Sequence, residues 1–201
     1  MNIGIDIDGV LIDWQSMRIK EGSEYAKEKN INVNFDVTRP EDDGFFDWDE
    51  KTNFDFYKYS FDDYYSNSPV IERALENIKK LKIEGHKRYI ITARGVDRRD
   101  KEVAGIEKMR EVTQNWIIKN EIPSDGVIFA LTGSKSKICL EHKIDVLIED
   151  GVKHIEDVSK VIPVIAYKRE YNTCLKDLNS NYKIYWTDNW NEIFNIIEYR
   201  M

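Results

Sequence analysis

The sequence predicts an α/β fold: a parallel sheet covered on both faces by helices, with a small, mostly helical segment inserted after the first strand. Three observations lead there. Short apolar runs of four or five residues alternate with stretches of helical periodicity along most of the chain. Those runs are apolar throughout, as strands buried on both faces are. One stretch, 14–68, breaks the alternation with a composition of its own.

Ile3, Ile5 and Ile7, followed by Val10-Leu11-Ile12 beyond Gly9, read as a buried strand ending at a glycine turn. Between Glu41 and Tyr65 lie nine acids, two bases (Lys51 and Lys58) and ten of the chain's 24 aromatic residues, which is too aromatic for a linker. Pro40 and the run Glu41-Asp42-Asp43-Gly44 mark a turn within it. Ser68-Pro69 predicts a helix start with proline at the first helical position. Ile71, Leu75, Ile78 and Leu81 form its apolar stripe, and Gly85 stops it. Tyr89-Ile90-Ile91-Thr92 is a strand, and Met109, Val112 and Trp116 mark a helix ending before Pro123. Val127-Ile128-Phe129-Ala130-Leu131 is a strand, 135–142 a short helix, and Asp145-Val146-Leu147-Ile148-Glu149 a strand. A helix at 153–159, the strand Val164-Ile165-Ala166-Tyr167, a sixth strand at 182–186 and a closing helix through Trp190, Ile193, Phe194 and Ile197 complete the pattern. Residues 1–13 and 69–201 thus form a core, and 14–68 an insertion. Ligands of such sheets bind at the C-terminal ends of the strands.

Composition narrows the class. At 201 residues the chain can bury about 70% of its unfolded surface without disulfides. Hydrophobic residues at 41% and charged residues at 33% mark a folded globular chain, not a disordered one. Ten glycines, four prolines and two cysteines exclude collagen-like, low-complexity and disulfide-scaffold classes. The net charge of −7 disfavours a non-specific grip on nucleic acid or on an anionic membrane surface, and leaves room for a small phosphorylated ligand at a locally positive site. Cys139 and Cys174 read as reduced thiols of an intracellular protein. The first eight residues lack the basic region of a signal peptide, and no run approaches 18 apolar residues. The expectation is a cytoplasmic protein.

The chemistry lies at the strand ends. Asp6 and Asp8 sit two apart at the end of the first strand, so both side chains point to one face. Two carboxylates there can bind Mg²⁺, and one can attack phosphorus while the other trades protons. By themselves they are equally a pair of turn-capping acids. The second strand ends in Ile91-Thr92-Ala93-Arg94, a hydroxyl and a guanidinium. Thr132-Gly133-Ser134-Lys135 brings a lysine to a helix N-terminus, where anions are favoured. Glu149-Asp150-Gly151 closes the fourth strand with another acid pair. Lys137 competes with Lys135, which is preferred because it lies nearer the strand end. His86, His142 and His154 are too scattered for a zinc site and read as surface or packing residues. Arg98, Arg99 and Lys101 lie among acids and read as a solvated helix face, from which Arg98 or Arg99 could reach a substrate phosphate. Asp13 reads as a turn cap.

The order of acid pair, threonine, lysine and acid pair resembles the motifs of the haloacid dehalogenase-like superfamily of phosphotransferases. Asp6-Ile7-Asp8-Gly9-Val10 is similar to its first motif, Thr92 to its second, Lys135 to its third and Glu149-Asp150 to its fourth. The resemblance implies a Rossmannoid three-layer core with the 14–68 insertion as a cap. It implies Asp6 as the nucleophile that forms an aspartyl-phosphate, and Asp8 as the acid–base residue. It further implies Mg²⁺ held by the Asp6 carboxylate, the Asp8 backbone carbonyl and Asp150, with Glu149 reaching the ion through water. Thr92 and Lys135 would hold the phosphoryl oxygens. Within the superfamily, the insertion length and the Ile91-Thr92-Ala93-Arg94 pattern look like the 5′(3′)-deoxyribonucleotidase group and its bacterial relatives. That implies a nucleoside monophosphate substrate, with Arg94, Phe45, Phe46 and Trp48 as candidate substrate contacts and the three cap aromatics stacking a base. The competing readings are a phosphatase of sugar phosphates or other small phosphorylated metabolites, and a receiver-like phosphoacceptor module. The latter would carry its phosphoacceptor on a later strand.

Overall fold

In the computed structural model, described over residues 1–40, 44–95, 98–130, 135–177 and 183–201, the alternation read from the sequence is a six-stranded, all-parallel sheet. In chain order the elements are β1 (Asn2–Ile5), α1 (Trp14–Lys29), α2 (Glu50–Asn67), α3 (Ala74–Ile83), β2 (Lys87–Thr92), α4 (Arg98–Val103) and α5 (Ile106–Lys119). There follow β3 (Gly126–Phe129), α6 (Lys135–Glu141), β4 (Val146–Glu149), α7 (Val152–Val158), β5 (Val164–Tyr167), a 3-10 helix (Glu170–Asp177), β6 (Ile184–Thr187) and α8 (Trp190–Arg200). The strands lie in the order β3-β2-β1-β4-β5-β6. The winding reverses at β1, so a crevice opens beyond the ends of β1 and β4. Expectations for 41–43, 131–134 and Tyr182 fall outside the described residues.

Neighbouring strand residues go to opposite faces, and the core divides accordingly. Ile3, Ile5, Ile90, Ile148 and Ile165 pack with Ile78 and Leu81 of α3, Met109 and Trp116 of α5, and Trp190 and Ile193 of α8. Ile91, Leu147, Val164 and Ala166 face the other way, onto Cys139 of α6 and Ile155 and Val158 of α7. Each fully buried aliphatic side chain here stabilises the fold by about 1.5–3 kcal/mol relative to exposure. Gly4 lets the second face close, since a Cβ there would lie 2.8 Å from Leu147 Cδ1 and 2.9 Å from Ile91 Cδ1.

Over residues 14–68 most of the chain is helical, in α1 and α2. Asp13 caps α1, accepting from the Ser16 hydroxyl at 2.8 Å, and Asp49 caps α2 through the Thr52 amide at 2.7 Å. The expected helix start at Ser68-Pro69 is corrected. Ser68 instead closes α2, its hydroxyl donating to the Tyr64 carbonyl at 2.6 Å. The next residues run extended beside the first turn, with Val70 bridged to Ile12 and the Ile71 amide donating to the Leu11 carbonyl at 2.8 Å. Helix α3 begins only at Ala74, after Arg73 turns through a φ of +66°. The two ends of the 14–68 stretch therefore lie beside one another. Among the described residues, no helix is long and apolar enough to cross a membrane.

Helix α6 is held to the sheet by a one-sided contact, with Lys135 and Cys139, four residues apart, on its buried face. Burial, joined by the nearby Glu149 and Asp157 charges, pushes the Cys139 thiol up to about 12 against the pull of Lys135, whereas Cys174 is exposed. A thiol reagent at pH 8 is therefore expected to label Cys174 quickly and Cys139 only on unfolding. Rapid labelling of both in the native protein would show that α6 is not docked.

Candidate active site

The site is assembled from the ends of β1, β2 and β4, from the start of α6, and from the 3-10 helix. Beyond β1 the Asp6 amide still donates to the Ile148 carbonyl at 3.0 Å, keeping Asp6 beside the end of β4. The chain then turns tightly, with the Leu11 and Ile12 amides both bonded to the Ile7 carbonyl. Gly9 takes a φ of +86°, and a Cβ there would lie 1.9 Å from Asp150 Oδ2. Only glycine satisfies both conditions.

Lys135 is the electrostatic centre. Its Nζ donates to Asp6 Oδ1 at 2.7 Å and to Glu149 Oε2 at 2.6 Å, and its side chain is 1% exposed. Lys137 instead lies on the surface, 78% exposed and 3.8 Å from Glu141. Glu149 also accepts from the Asp150 and Gly151 amides at 3.0 and 2.9 Å. Asp150 accepts from the Tyr171 hydroxyl, and its backbone carbonyl from Asn172 at 2.8 Å. Trp14 Nε1 in turn donates to Tyr171 at 2.8 Å. Oxygens of Asp6, Glu149 and Asp150 all lie within 4.8 Å of one another.

Titration follows from this crowding. Burial raises Asp6 to about 7; Lys135 pulls it down, but the Glu149 and Asp8 charges push it further up. Burial and the charges of Glu149 and Asp6 likewise hold Asp150 well above the carboxylate range. Burial also acts on Glu149, but Lys135, His154 and the hydrogen bonds it accepts outweigh it and leave that group low. Three buried carboxyl groups around one ammonium form a hard oxygen donor set, which would give up its protons as a divalent cation binds. That set fits Mg²⁺ and offers neither thiolate nor imidazole to a softer ion.

Asp8, two residues on, turns to different partners. Arg94 Nε donates to Asp8 Oδ2 at 2.7 Å and Arg94 Nη2 to Oδ1 at 2.6 Å, and the Tyr64 hydroxyl also donates to Oδ1 at 2.6 Å. Burial would raise Asp8, yet the guanidinium and these hydrogen bonds together hold it below its ordinary value. Thr92, buried at the end of β2, lines the crevice, and its hydroxyl accepts from the Arg94 amide at 3.2 Å. The cavity measures about 230 Å³, and Asp6, Asp8, Thr92, Arg94, Lys135 and Asp150 are in its wall.

The aromatic assignment is corrected. Phe45, Phe46 and Trp48 do not line this crevice. The Phe35–Phe46 bridge turns their segment inward, where Phe45 packs edge-on against Trp14 and Phe46 stacks on Trp48 at 4.3 Å. Gly22 of α1 makes room, since a Cβ there would lie 2.6 Å from the Phe46 ring. The crevice rings are Trp14, Tyr57, Tyr64, Tyr65 and Tyr171. The sequence carried one usable signal for them: tyrosine, unlike phenylalanine, brings a hydroxyl that can satisfy a carboxylate. His154, read as a surface or packing residue, also lines the crevice, its Nδ1 buried without a hydrogen-bond partner. Arg99 lines the crevice too, with its guanidinium 5.1 Å from the Tyr57 ring centre, while Arg98 pairs with Glu102 at 2.7 Å.

No family model matches the sequence, and no curated protein does. Among solved structures, the chain is similar to a haloacid dehalogenase-like hydrolase from Streptococcus pneumoniae, with a TM-score of 0.64, 14% identity and 98% of both chains covered. It is also similar to a predicted phosphoglycolate phosphatase from Haemophilus somnus, at a TM-score of 0.62 and 13% identity over 98% of this chain and 97% of that one. A Bacillus subtilis protein described as a HAD-hydrolase bound to magnesium matches at 0.62 and 12% identity, with 98% of both chains covered. The fold is the haloacid dehalogenase-like Rossmannoid fold.

Two tests follow from this geometry. A carboxyl raised in the folded state stabilises at acid pH and loses that contribution as pH rises through its folded value. Asp6 should therefore make the metal-free protein less stable between about pH 5 and pH 8, by a few kcal/mol. His154, lowered by burial and by Lys135, contributes the opposite slope and remains in both proteins, so the difference between wild type and Asp6→Asn reports Asp6 together with its effect on Asp150. Urea unfolding in chelator at the two pH values is expected to show Asp6→Asn gaining on wild type at pH 8, and equal differences would refute the assignment. Phe45→Ala, removing a ring with 0% exposure, is expected to destabilise by about 3–5 kcal/mol in the same measurement, where a pocket-lining ring would lose almost nothing.

Proposed function

We propose that the chain is a Mg²⁺-dependent phosphomonoesterase that works through an aspartyl-phosphate on Asp6, with residues 14–68 as a cap over the crevice. The observation that carries this reading is the buried cluster of Asp6, Lys135, Glu149 and Asp150 at the strand ends. Asp6, Asp150 and the Asp8 carbonyl would hold the metal, with Glu149 behind them. When bound, Mg²⁺ supplies charge neutralisation at the phosphoryl oxygens.

The protein's own groups supply the rest. An Asp6 carboxylate oxygen forms a bond to phosphorus as the bond from phosphorus to the ester oxygen breaks. Lys135 and Thr92 bind the phosphoryl oxygens and keep that approach in line. Asp8, ionised in the Arg94 fork, takes the proton of a monoanionic ester and passes it to the departing oxygen. In the second half Asp8 accepts a proton from water as that water attacks phosphorus, and then releases it to the departing phosphate or to solvent. The bond to Asp6 breaks and phosphate leaves.

For the substrate, resemblance in the motifs supports a nucleoside monophosphate, a deoxyribonucleotide in particular. The second reading is a smaller ester, a sugar phosphate or phosphorylated acid. It is favoured by the cavity of about 230 Å³, below the range of roughly 300–1,000 Å³ typical of sites for drug-sized ligands. The predicted phosphoglycolate phosphatase among the similar structures points the same way.

Phosphate release from a panel of nucleotides, sugar phosphates and phosphorylated acids, with Mg²⁺ and with chelator, tests both. Turnover is expected only with Mg²⁺, and Asp6→Asn is expected to fold and to be inactive. Nucleotides hydrolysed no faster than hexose phosphates would leave the smaller-ester reading standing. Full activity in Asp6→Asn would remove the aspartyl-phosphate.

A further inference from the structure

Asp8 is gripped from two directions by elements far apart in sequence. One arm is Arg94, just past β2; the other is the Tyr64 hydroxyl, from α2 in the 14–68 segment. We infer that Tyr64 is a positioning residue for the acid–base step, coupling the proposed cap to Asp8. The inference rests on the phosphomonoesterase reading above.

The ring of Tyr64 is itself fixed on several sides. The Arg18 guanidinium lies 3.9 Å from its centre, fully buried and bonded to Glu21 at 3.0 Å and to Ser60 at 2.7 Å. A cation over the ring face draws electron density from it and strengthens the hydroxyl as a donor. The Tyr64 carbonyl takes the Ser68 hydroxyl at the end of α2, which fixes the backbone beneath the ring. Tyr65 packs edge-on against Tyr64 at 4.9 Å, and its hydroxyl reaches Asp100 at 3.4 Å. Asp100 in turn accepts from the Gly95 amide at 2.6 Å, next to Arg94, whose guanidinium lies 4.8 Å from the Tyr65 ring. Both arms of the grip therefore meet in one buried network between α2, α4 and the end of β2.

The consequence is geometric. An aspartate has few bonds to rotate, yet proton transfer requires its oxygen within hydrogen-bond reach of the departing oxygen. With donors on both oxygens from two elements, the carboxylate plane is set, and a small displacement of α2 would carry Asp8 with it. The Tyr64 hydroxyl touches Asp8 and no other side chain among its hydrogen bonds in the described residues. A role through Asp8 thus predicts a change in the rate of the step and not in the strength of substrate binding.

The test compares kcat and KM of wild type and Tyr64→Phe on one nucleotide and one sugar phosphate with Mg²⁺, and repeats the substitution on an Asp8→Asn background. The phenylalanine keeps the ring and its contact with Arg18. Tyr64→Phe is expected to lower kcat about 10- to 100-fold, as for a lost hydrogen bond to a charged group, with KM within about threefold on both substrates. On Asp8→Asn it is expected to cost less than about twofold more, because Tyr64 acts through Asp8. An unchanged kcat, a raised KM at constant kcat, an equal further loss on Asp8→Asn, or a Tyr64→Phe protein that does not fold would each overturn the inference while leaving the phosphatase reading intact. A wild-type protein that hydrolyses no ester overturns that reading, and this inference with it.

Discussion

A single ammonium group shared between two buried carboxylates organises the strand-end region. Lys135 reaches Asp6 and Glu149 together, at 2.7 and 2.6 Å, with almost none of its side chain in water. Asp6 and Glu149 lie on neighbouring strands because β1 and β4 pair in parallel at the point where the sheet changes direction. The carboxylates would repel one another across a dry gap without the lysine, and removing one partner of such a buried set destabilises by about 3–5 kcal/mol. The same constraint fixes the docking of α6, since its buried face must carry the lysine to the sheet edge. It also gathers three carboxyl groups around one ammonium, an all-oxygen set that suits a hard divalent cation.

Asp6 and Asp8 show how little separation in sequence says about electrostatic surroundings. Asp6 faces the lysine and two other acids and is raised toward neutrality, whereas Asp8 faces a guanidinium and a phenol and is held low. Two carboxylates pushed apart in this way can divide nucleophilic and proton-transfer work between them. The chain starts to turn between them, at Ile7, and Gly9 completes that turn. Its positive φ and the Asp150 carboxylate against its missing side chain leave one residue type for that position.

The aromatic residues of the 14–68 segment divide by place, some filling its interior and others meeting acidic groups. Phe45, Phe46 and Phe56 form the interior between α1 and α2, together with Tyr25 and Trp48. Tyr57, Tyr64 and Tyr65 sit at the boundary with the core, where their hydroxyls meet Asp100 and Asp8. A buried phenol needs a partner, and Asp8 beyond β1 and Asp100 on α4 provide one.

The strands, most of the helices, the placing of Asp6, Asp8, Thr92, Glu149 and Asp150 at or just past strand ends, and that of Lys135 at a helix start were legible in the sequence. The reason is local: apolar runs and helical periodicity report which way nearby side chains point, and a strand end is where an apolar run stops. Lys135 was preferred to Lys137 for its distance to the strand end, and the structure buries Lys135 against Asp6 and Glu149 while Lys137 lies on the surface. The helix start at Ser68-Pro69 was misread because the same two residues also suit the end of α2, and only the pairing of Val70 with Ile12 decides between them. Tertiary structure alone decided the partners of Asp8, the Tyr171 hydroxyl on Asp150 and the interior position of Phe45. Each joins residues separated by tens of positions, and no periodicity records which distant side chain will fill a given hydrogen bond. That is settled when the sheet closes, because burial then favours pairing each polar group in the crevice with whichever partner the fold has brought within reach.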